Sequence, residues 1–259
     1  MKKRILVIGD SCTDEFVYGE CKRLNPEAPT PVFTPTHTSS NRGMAGNVVE
    51  NLESLGVFSV DFISNKNQIT KTRYVEKNSN YILLRVDQND RAEEVSMNDL
   101  SNAEIEKYDA VIVSDYNKGF LHEEAIDYIL RMAKCSFIDT KKPFGEWIKF
   151  ASWVKVNKSE SLNSAHNIDI LKEIKNRMIV TLGSEGASWN DRIFPTKPAE
   201  VRDVAGAGDT FISALVAAYT KTVDIKKSIK FANDCASRVV RKRGVTDMSE
   251  MINYYVQLK

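Results

Sequence analysis

Short apolar runs recur along the chain at Ile5–Ile8, Ala110–Val113, Ser136–Ile138, Trp153–Val156 and Met178–Leu182. Runs of that length read as buried strands. Between them lie segments of helical period. Leu121–Ala133 sets Leu121, Ala125, Ile129 and Met132 on one face, and Ile168–Ile174 is a shorter amphipathic piece. Strands that alternate with helices imply crossover connections and a largely parallel sheet covered on both sides. The pattern predicts an α/β core.

Two stretches break this rhythm. Residues 16–36 hold Pro26, Pro29, Pro31 and Pro35 among short β-type pieces, Phe16–Gly19 and Val32–Thr34. Residues 69–87 alternate polar and apolar in two pieces, Thr70–Glu76 and Tyr81–Asp87, around Lys77–Asn80, as a hairpin with one solvated face would. Together they predict a small β flap on the main sheet. The last third reads as three helices, Gly206–Tyr219, Ile225–Lys242 and Ser249–Leu258.

Composition narrows the class. With 259 residues, 42% hydrophobic and 27% charged, the chain has enough apolar material for a sizeable core, so disordered and fibrous classes are out. A net charge of +1 gives no support to nucleic-acid or membrane-surface attraction. Cys12, Cys21, Cys135 and Cys235 form no C-x-x-C, and none of His37, His122 and His166 lies at ligand spacing, which argues against structural zinc. The basic start has only four apolar residues behind it, and Phe211–Tyr219 is half a membrane span. A reduced, cytoplasmic, soluble protein is expected, and 259 residues allow one large domain or two small ones.

The sharpest chemical feature is Asp203-Val-Ala-Gly206-Ala207-Gly208-Asp209-Thr210, directly before an apolar helix. Glycines at a helix entrance let backbone N–H groups approach an anion, and the helix dipole favours negative charge there. Asp209 is then placed to take a proton from a hydroxyl aimed at phosphorus. The same residues are equally what a glycine turn with a first-turn acid would show. No Walker-type G-x-x-x-x-G-K-S/T is present, the third position of a G-x-G-x-x-G at Gly206 is Phe211, and protein-kinase signatures are absent. A second cluster, Arg42-Gly43-Met44-Ala45-Gly46-Asn47, opens a helix to Leu55 and suits a polyol, or ordinary packing at glycine. A third, Asn157 with Glu160 just beyond a strand, lies where open α/β sheets bind ligands, although the pair is also a capping box. The basic run Arg238–Arg243 complements a helix C-terminus.

Taken together, these elements resemble the PfkB/ribokinase-like family of sugar and nucleoside kinases. Asp203–Thr210 matches its C-terminal signature and Gly43–Asn47 its N-terminal one. Within that family the similarity points to the heptose-7-phosphate kinase module of ADP-heptose biosynthesis, through Gly9–Asp14, Leu24–Val32, Leu84–Asp87, Val113–Gly119, Ile138–Lys141 and Phe231–Asn233. The resemblance runs in order along nearly the whole chain. It implies a single kinase domain over residues 1–259, a ribokinase-like three-layer α/β/α sandwich with a mostly parallel sheet and a small β-sheet lid from residues 16–36 and 69–87. The implied activity is transfer of the γ-phosphoryl group of ATP to a sugar hydroxyl, here the 1-hydroxyl of a heptose 7-phosphate. A general fructose- or ribose-type kinase and a catalytically inactive sugar- or nucleotide-binding relative are the alternatives.

Carried over onto this sequence, the resemblance implies Asp209 as base and the N–H groups of Gly206, Ala207 and Gly208 as the anion hole. Asp14, Gly43 and Asn47 would hold sugar hydroxyls, with Arg85, Lys118 and Lys141 as candidate cations for a substrate phosphate. Asn157 and Glu160 would organise Mg²⁺ and the ATP phosphates through water. Thr181, Gly183, Gly186 and Asn233 would line the nucleotide, and a K⁺-type monovalent cation would sit near Asp203, where Ala205 replaces a common Thr. Flaps of this family pair between subunits, so a homodimer is expected. Three departures stand out. Met44 replaces a usual second glycine, which would narrow the sugar-pocket floor. Val57–Thr70 runs straight into the flap where the family has a helix and a G-x-D-x-x-G segment, which would simplify one sheet edge. The adenylyltransferase domain often fused to this kinase has no counterpart in these residues.

Overall fold

The computed structural model describes every residue except 1, 199, 201–203 and 242–246. The chain opens with β1 (Lys3–Gly9), the long hairpin β2 (Ser11–Leu24) and β3 (Pro31–Met44), helix α1 (Ala45–Ser54) and β4 (Phe58–Ser64). A second hairpin, β5 (Thr70–Glu76) and β6 (Ile82–Gln88), and the short α2 (Met97–Asn102) follow. Alternation then sets in with β7 (Ala110–Asp115), α3 (Glu123–Met132), β8 (Ser136–Thr140), β9 (Trp153–Asn157), α4 (Lys158–Asn163), α5 (Ile168–Ile174) and β10 (Met178–Thr181). The hairpin β11 (Ala187–Trp189) and β12 (Arg192–Phe194) leads to α6 (Ala207–Thr222), α7 (Ile225–Val239) and α8 (Ile252–Gln257).

The main sheet has the order β12-β11-β10-β9-β8-β7-β1-β4. From β10 to β4 neighbouring strands are parallel, and the β11–β12 hairpin adds an antiparallel edge. Successive side chains of a strand point to opposite faces, so β1 divides its apolar run between two cores. Ile5 and Val7 join α1, α6, α7 and Tyr255 of α8, while Leu6 and Ile8 join α2, α3 and α5. Both faces are therefore covered, as a parallel sheet requires. The α/β reading holds, and every apolar run named above is a strand of this sheet. One detail differs: α3 buries Ala125, Ile126, Ile129 and Leu130, while Met132, in its last turn, is exposed.

The flap is larger than its proline content suggests. Its sheet has the order β3-β2-β5-β6, and β2 and β3 pair along their whole length with register shifts at Tyr18/Gly19 and Cys21/Arg23. The prolines are confined to the loop and to β3, an edge strand, where a missing N–H is tolerated.

The connection from β4 to this lid is only residues 65–69 long. It is stitched by two asparagines. The amide of Asn65 accepts from Ser11 N–H at 2.7 Å and donates to the carbonyls of Asn67 and Ser11. Asn67 donates to the Arg91 carbonyl and accepts from Glu93 N–H, both at 2.8 Å. β4 is consequently the last strand of the main sheet, in line with a simplified edge.

Candidate active site

The carboxyl ends of β7, β8, β9 and β10 converge on the N-terminus of α6, the usual ligand-binding end of a parallel sheet. Gly206 caps α6 with φ of 75°, a conformation that favours glycine. Ala207 N–H makes a long 3.3 Å bond to the Val204 carbonyl, so it is partly engaged before any anion arrives. Asp209 follows in the first turn, buried, with both oxygens occupied. Asn47 donates to Oδ2 at 2.9 Å and the Tyr116 hydroxyl donates to Oδ1 at 2.5 Å. Burial pushes this carboxyl up to about 6, against the opposing pull of those two hydrogen bonds. A carboxylate tuned near neutrality is suited to take a proton from an alcohol. Asn47 is itself held by Asn51, whose amide reaches both its side-chain and backbone oxygens.

Beside this carboxylate lies a polar cavity of about 140 Å³ lined by Tyr116, Asp139, Lys141, Lys155, Asn157, Glu160, Gly208 and Asp209, among others. Lys155 of β9 is buried, with Nζ 2.6 Å from Asp139. Burial works against its charge, but Asp139, with Glu160 and Asp209, holds the ammonium above its ordinary range. A Cβ added at Gly208 would stand 3.2 Å from this Nζ, so the cation lies directly behind the glycine turn. Sequence reasoning missed Lys155. The one available signal was a lysine inside an otherwise apolar strand.

Asn157 and Glu160 form a full capping box, with N–H···O distances of 2.7 and 2.9 Å. Capping uses one oxygen of Glu160 and does not preclude a second role. Burial and the neighbouring Asp139 push the Glu160 carboxyl up, against the pull of Lys155 and Lys141. Among the described residues no three His, Cys, Asp or Glu side chains cluster tightly enough to hold a metal directly. This donor set therefore fits a hydrated Mg²⁺ carried with phosphate oxygens rather than a cage of protein ligands. Asp203 lies outside the described residues.

A second, more apolar cavity of about 440 Å³ opens on the other side of α6. Thr181, Gly183, Gly186, Ala207, Gly208 and Asn233 all line it, with Phe211, Ala236 and Val240 supplying apolar wall. Gly186 has φ of 97°, and a Cβ there would meet the Phe194 carbonyl at 2.2 Å. Asn233 spends its amide on that same carbonyl at 2.7 Å, fixing α7 to β12.

Above Asp209 stands the lid. Cross-strand register aligns Asp14–Lys71–Asp87 in one row and Phe16–Arg73–Arg85 in the next, all on one face. Arg73 bonds Asp14 at 2.5 Å, and Arg85 grips Asp87 through two 2.7 Å bonds. Lys118 pairs with Asp90, while the buried Lys71 reaches Asp90 only at 3.9 Å. Lys71 is pushed below its ordinary range by burial. The Cys12 thiol is pushed up to about 12, by burial first and then by Asp14. Gly43 leaves no room for a side chain, since a Cβ would sit 2.3 Å from Asp14 and 2.5 Å from Cys12. Of the cations expected here, Lys141 instead stacks its Nζ 4.1 Å over the Tyr116 ring. Met44 packs into the core around Ile8, Cys12 and Ile69, with φ of 56°, so its departure from glycine strains the backbone more than it fills the pocket. Lys71 was missed because only the register, not the local sequence, shows what it faces.

The signature of pfkB family carbohydrate kinases matches residues 42–251. The chain belongs to this family, and its class is that of an ATP-dependent sugar kinase. It is 32% identical over 312 aligned positions to the bifunctional protein HldE of Sulfurimonas denitrificans, covering 98% of this chain and 65% of that protein. The chain thus spans less than two thirds of that relative. An alignment of 312 positions laid on 259 residues also means that the relative carries several dozen residues this chain lacks. Among solved structures, ribokinase of Thermotoga maritima superposes with a TM-score of 0.76 at 14% identity, covering 99% of this chain and all of that one. Phosphofructokinase-2 of Escherichia coli, in complex with potassium, gives 0.74 at 14%, covering 100% and 99%. Both confirm the ribokinase-like fold.

Proposed function

We propose that this chain transfers the γ-phosphoryl group of ATP to the 1-hydroxyl of a heptose 7-phosphate. The observation that carries the sugar-phosphate reading is the charged face of the lid. Lys71, Arg73 and Arg85 share one face of the lid and Lys118 lies near them on Asp90. Arg73, Arg85 and Lys118 each hold a carboxylate closely, whereas buried Lys71 reaches Asp90 only at 3.9 Å. A dianionic phosphate at the far end of the sugar is the ligand chemistry such a cluster would recognise. The heptose assignment adds to this the resemblance of Leu84–Asp87 and Val113–Gly119 to heptose-7-phosphate kinases.

In this reading the adenosine lies in the 440 Å³ cavity and the triphosphate reaches across Gly208 into the polar one. Asp209 takes the proton of the acceptor hydroxyl while Asn47 and Asp14 orient the sugar. Charge on the transferring group falls on the α6 N-terminus and on Lys155, cations and dipoles already in place before the reaction. Mg²⁺, gathered by Glu160 and Asn157 through water, would supply neutralisation of the phosphates. Two such chains would pair through their lids, because β6 is an edge strand that exposes Tyr81, Ile82 and Leu84.

The test is ADP release with ATP–Mg²⁺ and a panel of heptose phosphates, hexose phosphates and free sugars. Preference for phosphorylated sugars is expected, with heptose 7-phosphate best. Equal turnover of free fructose or ribose would replace this reading by a general sugar kinase, and no turnover of any sugar by an inactive relative.

A further inference from the structure

Tyr116 is not among the residues expected at the site, yet its hydroxyl makes the shortest contact to Asp209. The loop that carries it is built with unusual care. Asp10, fully buried at the end of β1, accepts from the backbone N–H groups of Tyr116, Lys118 and Phe120 at 2.7, 3.3 and 3.2 Å. Asp115 accepts from Asn117 N–H at 3.0 Å and is itself fixed by Thr140 at 2.6 Å and Lys142 at 2.7 Å. Two buried carboxylates thus pin a single turn, whose one side chain aimed at Asp209 is the Tyr116 phenol. Lys141 lies over the other side of the ring, where its charge strengthens the phenol as a donor.

We propose that Tyr116 is a positioning residue for the general base. Its hydroxyl clamps Oδ1 while Asn47 clamps Oδ2, fixing the plane of the carboxylate and keeping it ionised when the substrate arrives. This rests on the reading of Asp209 as the base. Without the phenol, one oxygen of a buried carboxylate would lose its donor, and the neutral acid would be favoured to higher pH. The polar and titratable groups around Asp209 are Asn47 from α1, Cys12 from β2, Asp115 at the end of β7, Tyr116 from the loop after it, Asp139 from β8, Lys141 from the loop after β8, Lys155 from β9 and Glu160 from α4. Among the described residues, Tyr116 from the loop after β7 and Asn47 from α1 are the side chains that hydrogen-bond its carboxylate.

The test follows Asp209 itself by ¹³C NMR of aspartate-labelled full-length protein without ligands, its resonance assigned by its loss in Asp209→Asn. In Tyr116→Phe the midpoint should rise by about one to two pH units, the weight of one hydrogen bond to a charged group. An unchanged midpoint in a folded variant overturns the proposal. Should Tyr116→Phe fail to fold, 3-fluorotyrosine-labelled wild type serves. One ¹⁹F resonance should titrate with the midpoint of Asp209 and lose that transition in Asp209→Asn, and the absence of any such resonance overturns the clamp. With ATP and a heptose 7-phosphate, the acid limb of kcat/KM should move up by the same amount with sugar KM unchanged on the plateau. Wild-type protein inactive on every sugar would defeat the functional reading alone, because the NMR midpoints decide the clamp without turnover.

Discussion

The ammonium of Lys155 stands immediately behind Gly208, so that the smallest possible side chain there would approach it to 3.2 Å. A fixed cation is thereby added to a helix N-terminus at the place where a phosphoryl group would carry its charge. Lys155→Met should lower kcat by about 10²–10³, the weight of one preorganised electrostatic contact. It should also destabilise the fold by about 3–5 kcal/mol, because Asp139 is left charged and unpaired. The two effects separate in Lys155→Met with Asp139→Asn. Thermal unfolding should recover most of the stability, while steady-state kinetics should find the rate still low. A rate restored along with stability would make Lys155 purely structural.

As the proposed base, Asp209 should link turnover to pH through its carboxyl, which burial raises to about 6. Activity should fall below that pH, and Asp209→Asn should lose about 10²–10⁴ in turnover while still binding ATP. The sign for stability is opposite to that of an ordinary surface carboxylate. The folded value is raised above the unfolded one, so folding gains from the bound proton at low pH, and that gain is lost as pH rises through about 6. Asp209→Asn should therefore melt above wild type at pH 8, with the gap closing toward pH 4. A gap that widens on acidification would contradict the raised value.

How much of this was legible beforehand depends on the range of the interaction. Ile5–Ile8 or Met178–Leu182 announce buried strands because a parallel sheet covered on both faces leaves no polar alternation. The glycine turn at Gly206–Asp209 was legible because its geometry is local. Lys71, Lys155 and Tyr116 were not. Each acts through a partner that is remote in sequence, Asp90, Asp139 and Asp209 respectively, and only strand register or the folding of the Tyr116 loop brings them together. Asn65 was invisible for the same reason, since two of its three bonds go to the distant backbone of Ser11.

Gly43 packs against Cys12 and against Asp14, a residue proposed to hold the sugar. A methyl group there would overlap both the Asp14 carboxylate, which Arg73 holds, and the Cys12 thiol, so these side chains must shift. Gly43→Ala should therefore reduce kcat/KM for the sugar by about 10², the usual consequence of an ångström-scale misplacement. The KM for ATP should stay within error, because the nucleotide cavity shares no residue with this contact. Equal losses for both substrates would place the damage in the fold instead.

Lid pairing makes its own forecast. Ile82 and Leu84 are more than half exposed on the β6 edge, and a second lid would cover them. Light scattering of the wild type should give the mass of a dimer, and Leu84→Glu should give a monomer with unchanged circular dichroism. A monomeric wild type would remove the lid edge from any role in assembly.

The short link from β4 into the lid depends on Asn65, whose amide makes three hydrogen bonds to backbone groups, two of them to Ser11 at the root of β2. Asn65→Ala removes these bonds and leaves part-buried N–H and carbonyl groups without their partner, at a cost of about 1–3 kcal/mol. The loss is local, so its first consequence should be motion of the lid rather than global unfolding. Hydrogen exchange should quicken in β2 and β5 near Thr13 and Thr70, while protection of β7 and β8 in the main sheet stays as in wild type. Because Asp14, Lys71 and Arg73 ride on those lid strands, the same variant should raise sugar KM and leave ATP KM alone. Uniform loss of protection across both sheets would mean instead that the link holds the whole fold together.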